Sequence, residues 1–104
     1  MRMLPRSLDT ALATAVGPDP ALHRELRDAL LESVERQVDL LRQARGDAHW
    51  YTVSARIRGL AVSFMDEDLT TVADAALLSA PGEPVVIDEL TRWIEQTREE
   101  PIPG

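Results

Sequence analysis

The run DPALHRELRDALLESVERQVDLLRQARG, residues Asp19 to Gly46, decides the fold class of this chain. Leu22, Leu26, Leu30, Val34, Val38 and Leu41 recur at steps of four and three, the spacing of one face of an α-helix, with charged residues between them. Asp19 is suited to cap such a helix. Pro20 follows at the first helical position, where its missing N–H is no loss. The pattern predicts a helix from Pro20 to Arg45, ended by Gly46.

Helical spacing continues on both sides of this run, and no period-two alternation of β-branched residues is sustained anywhere. On the N-terminal side, Ser7 can cap a short helix to Val16, stopped by Gly17 and Pro18. On the C-terminal side, Asp47 can cap a helix whose buried stripe is Trp50, Val53, Ile57, Leu60 and Phe64. Asp66 opens another, with Glu67 and Asp68 where the helix dipole favours anions and with Leu69, Val72, Ala76 and Leu77 facing inward. Ser79 to Pro84 reads as a loop. A last helix from Val85 to about Glu99 presents Ile87, Leu90 and Ile94 with Trp93 beside them, and residues 100–104 read as a frayed tail. The expected architecture is all-α: one domain over 1–104, an antiparallel up-down four-helix bundle with a short N-terminal helix across one end.

Composition narrows the function. The chain has 104 residues, 18 acidic and 11 basic, no cysteine and a net charge of −7. Disulfides and thiolate metal sites are therefore out of reach. The global field repels phosphate backbones and anionic lipid, so neither nucleic acid nor membrane is an expected partner. No apolar leader or membrane span is present, which points to the cytoplasm. Every basic residue is arginine. His23 and His49 fall on different expected helices, without the Glu-x-x-His pairs of bundle metal sites, and both read as solvated polar residues; no metal and no cofactor are expected. Ser33, Ser54, Ser63 and Ser79 have no histidine and acid at a catalytic spacing, and the glycines are scattered singly rather than clustered into a phosphate loop.

The stretch SARIRGLAVSF, Ser54 to Phe64, stands above this background. A glycine in mid-helix costs about 1 kcal/mol relative to alanine, so Gly59 signals either a neighbouring helix packed closely or a partner that must approach. Ala55, Arg58, Gly59 and Val62 share a face turned away from the apolar stripe. The stretch resembles the signature of histidine-containing phosphotransfer (Hpt) domains, which typically reads Ala-His-x-Leu-Lys-Gly followed by small residues and an aromatic. Gly59 falls on the family glycine, Arg58 on the lysine, Ile57 on the leucine and Ser63-Phe64 on the small-aromatic pair. In order and spacing the resemblance covers about residues 8–96.

What the resemblance implies is a four-helix module of a two-component phosphorelay. One departure alters the chemistry: the position of the phospho-accepting histidine is Ala55, and a methyl group accepts no phosphate. No catalytic residue is therefore expected. The implied role is a phosphorelay module that docks a response-regulator receiver or a histidine kinase element through Ala55, Arg56, Arg58, Gly59 and Val62 without itself carrying phosphate. Two alternatives stand beside it: a structural bundle that forms a homodimer, and an active phosphotransferase that uses His49 or His23.

Overall fold

The computed structural model describes residues 19–100. The expected helix from Ser7 to Val16 and the tail from Pro101 lie outside them. Four helices follow in order: α1 Pro20–Arg42, α2 Asp47–Ser63, α3 Glu67–Leu77 and α4 Pro84–Glu99. There is no strand among the described residues. Each helix packs against two others: α1 against α2 and α4, and α3 against the same two, so the four close a ring around one core. That core is built from Leu30, Val34, Val38 and Leu41 of α1, Trp50, Val53, Ile57 and Ala61 of α2, Leu69, Ala73 and Ala76 of α3, and Val86, Leu90 and Trp93 of α4.

Helix α1 begins as its sequence requires. The Asp19 carboxylate accepts from the backbone N–H groups of Ala21 and Leu22 at 3.0 and 3.2 Å, and Pro20 occupies the first turn. The helix stops at Arg42, three residues before the expected Arg45, with Gln43 as its C-cap. Its buried seam also departs from expectation. His23 is buried at 2% exposure rather than solvated, Arg27 is buried at 6%, and Leu22 is 41% exposed. Angles explain this. At about 100° per residue, His23 and Arg27 each lie within about 20° of Val34, whereas Leu26 lies about 80° away and Leu22 about 120°. Repeated steps of four walk an apolar stripe around the helix, and alternation of three and four keeps a seam in line.

Polar contacts along the flank of α1 join it to α4, and they run in opposite directions. Arg27 Nη1 donates to the Glu100 carbonyl at 2.6 Å, Arg98 pairs with Glu35 at 2.7 Å, and Arg42 donates to the Thr91 hydroxyl at 2.7 Å. The hydrogen bond and charge of Glu35 push the Arg98 guanidinium further above its ordinary pKa.

The passage from α2 through α3 to α4 turns on Asp66. Helix α2 has Gly46, not Asp47, at its N-cap, without a side-chain hydrogen bond there. Its C-terminus closes with two bonds, Met65 N–H to the Val62 carbonyl at 3.1 Å and Asp66 N–H to the Ala61 carbonyl at 2.9 Å, the pair that defines a Schellman motif. Met65 holds the left-handed position of that motif at φ 56°, where glycine is usual. The buried Asp66 carboxylate then caps α3, accepting from Leu69 N–H at 2.8 Å, and its second oxygen accepts the Trp93 indole N–H of α4 at 3.2 Å. At the far end of α3, the Trp50 indole N–H donates to the Ala76 carbonyl at 2.7 Å, which satisfies an acceptor of the last turn. Ala73, rather than Val72, is the fully buried residue between these two points, with Val72 and Leu77 half-buried. Helix α4 starts at Pro84, one residue early, and buries Val86 and Thr97 along with Leu90, Trp93 and Ile94, while Ile87 is half-buried.

Two stability predictions follow from this junction. Asp66→Ala removes a cap and strands a buried indole N–H, so it should lower unfolding free energy by about 2–4 kcal/mol in urea titration, and Asp66→Asn should lose less; a loss under about 1 kcal/mol for the alanine variant contradicts the role given to Asp66. Met65→Gly relieves a left-handed L-residue whose side chain is 67% exposed, and should raise stability by about 0.5–1 kcal/mol once the extra chain entropy of glycine is subtracted.

Candidate partner-docking face

Packing on both sides of α2 orients its outward surface. Trp50, Val53, Ser54, Ile57 and Ala61 point into the core, and Leu60 and Phe64 are half-buried at its edge. Among the residues left outside are Ala55, Arg56, Arg58, Gly59 and Val62, all exposed, with Val62 at 51%. All five residues singled out from the sequence thus lie on the solvent side of one helix.

The face has a ridge and two flanks. Ala55, Gly59 and Val62 form the ridge, opposite the core seam at helical spacing. The two arginines diverge from it. Arg58 leans toward α3, where its Nε meets the Asp74 carboxylate at 2.6 Å; both side chains are about half exposed, so the pair contributes at most a fraction of a kcal/mol. Arg56 leans toward α1 and lines a shallow groove of about 350 Å³ together with Ser33, Arg36, Gln37, Gly59, Leu60 and Ser63. The cation on the lysine position of the resembled signature is thereby already partnered within the chain. Arg56, its neighbour two residues earlier, has no carboxylate partner among the described residues.

Gly59 is not needed for packing among the described helices. A Cβ built there meets nothing within 4 Å, so no described element approaches closely enough to demand the missing side chain. Of the two sequence readings of this glycine, close packing by a neighbouring described helix is therefore set aside.

Neither histidine stands on this face. His49 is exposed in the first turn of α2, at the other end of the helix from Val62, and His23 is enclosed at the start of α1. Among the described residues no group of three or more histidines, aspartates and glutamates is placed to hold a metal ion, and no helix is long and apolar enough to cross a membrane. A second exposed apolar region, which sequence reading did not single out, lies at the opposite end of the bundle. There Tyr51 of α2 is 59% exposed and Leu78, the C-cap of α3, is 90% exposed, beside Leu77 and Ala80. Comparison with protein-family models, with curated proteins and with solved structures found no match.

The open space at Gly59 makes a direct prediction. Gly59→Ala should fold normally and be more stable by about 0.5–1 kcal/mol, because a helical alanine replaces an exposed helical glycine with no steric cost. Thermal unfolding followed by circular dichroism measures it, and a destabilised variant would contradict the open geometry.

Proposed function

We propose that this chain is an Hpt-like signalling module, an antiparallel up-down bundle that acts in the cytoplasm by docking a response-regulator receiver or histidine kinase element without itself accepting phosphate. The single observation that carries the reading is Gly59: an exposed helical glycine with open space above it, flanked by Ala55 and Val62. A mid-helix glycine that no described neighbour requires is accounted for by a partner that approaches the backbone. Ring-like packing of four helices and the opposed directions of α1 and α4 support the bundle expected from the signature.

Absence of phosphotransfer follows from the same face. Ala55 occupies the histidine position, and no histidine stands beside it on the ridge. His23 is enclosed, and a receiver aspartate could reach it only if the end of the bundle opened.

The test pairs wild type with Gly59→Glu, which places a charged side chain on the ridge. Titrated with receiver domains of the native host, the wild type should bind at least one with modest, salt-sensitive affinity, and Gly59→Glu should lose at least tenfold. Phosphorylated receiver should leave no acid-labile label on the chain. Equal binding by both proteins counts against the docking face, and label that disappears in a His49 variant favours the active phosphotransferase. The homodimeric bundle has its own observation, the exposed Tyr51 and Leu78. Light scattering of wild type and of a Leu78→Glu variant separates it, since a stable wild-type dimer that dissociates in Leu78→Glu would replace receiver docking by self-association.

A further inference from the structure

The groove between α1 and α2 differs in charge from the rest of the surface. Its lining comprises two arginines, Arg36 and Arg56, two serines, Gln37, Gly59 and Leu60, with no aspartate or glutamate, in a chain of net charge −7. By contrast, the groove between α1 and α4 is lined by Glu35, Asp39 and Glu95 as well as Arg42 and Arg98, and its cations are satisfied from within: Arg42 by Asp39 at 3.4 Å and Arg98 by Glu35 at 2.7 Å. Among the described residues Arg36 and Arg56 lack such partners. Arg56 makes no hydrogen bond or ion pair among the described residues, and the one contact of Arg36 is to the neutral Ser33 hydroxyl at 3.2 Å, one turn back on the same helix. That contact holds its guanidinium at the groove.

We propose that this groove receives an acidic segment of a partner protein, with Arg36 and Arg56 taking its carboxylates from the two helices. Guanidinium groups are suited to this because each presents several donors in a planar fork that matches a carboxylate. Gly59 shares the lining with both arginines and adds no side chain, so the segment can settle against the α2 backbone. The assignment rests on the docking reading given above and deepens it: the anion-binding pair is Arg36 with Arg56, because Arg58 is held by Asp74. Arg36 belongs to no motif, and the groove alone brings it to the face.

Nuclear magnetic resonance of the full chain titrated with oligo-aspartate tests the groove without any receiver. Amide shifts should concentrate at residues 33–37 and 56–63, affinity should fall about two- to fivefold for each of Arg36→Gln and Arg56→Gln, and an Arg92→Gln control on α4 should change nothing. Shifts spread equally over all exposed arginines, an undiminished response in the double variant, or tighter binding of oligothymidylate than of oligo-aspartate each overturn the proposal. A receiver that binds wild type should lose affinity in the same double variant and in added salt. Should oligo-aspartate bind the groove while no receiver binds wild type, the groove stands and the phosphorelay reading falls.

Discussion

A buried carboxylate holds three helices in register. Asp66 is 1% exposed, a position that is costly for an acidic side chain unless its oxygens are engaged. Here one oxygen caps α3 and the other receives the Trp93 indole of α4, while the backbone N–H of the same residue closes the end of α2. Position at a helix N-terminus adds the favourable field of the unpaired N–H groups. Trp50 makes the complementary bond at the other end of α3. At 11 residues, α3 is too short to be stable alone, so its survival depends on these two indoles and on the small side chains Ala73 and Ala76, which let α2 and α4 come close.

That clamp has a consequence for the surface. Because α2 is held by α1 on one side and α3 on the other, its outward residues sort into a ridge and two flanks. Arg58 and Arg56 are two positions apart, which on a helix is about 200°, so they cannot act together on one ligand. The flank toward α3 is neutralised by Asp74. The flank toward α1 gains Arg36 and keeps a local positive field inside an acidic protein, where a docking anion meets attraction at short range and repulsion at long range.

Much of the framework was legible from local chemistry. Asp19-Pro20 and Asp66 marked helix starts because a short acidic side chain satisfies orphan N–H groups without tertiary help. The exposed face of α2 was legible too, since helical geometry alone puts Ala55, Gly59 and Val62 opposite Val53 and Ile57. Reading failed where the apolar pattern was ambiguous. Leu22 looked like core and is exposed, while Leu26 packs half-buried against the core; their angular drift from Val34 explains why His23 and Arg27 join the buried seam. Asp47 looked like a cap and is the first helical residue, with Gly46 in the extended cap position before it.

By itself, then, the sequence determined the helices, their order and the small outward face of α2, because each depends on interactions within a few residues of chain. Tertiary structure alone decided which cations are free. Whether an arginine is spent on a neighbour or left for a partner depends on which helix packs beside it, and residues as distant in sequence as Arg58 and Asp74, or Arg36 and Arg56, meet only once the core has closed.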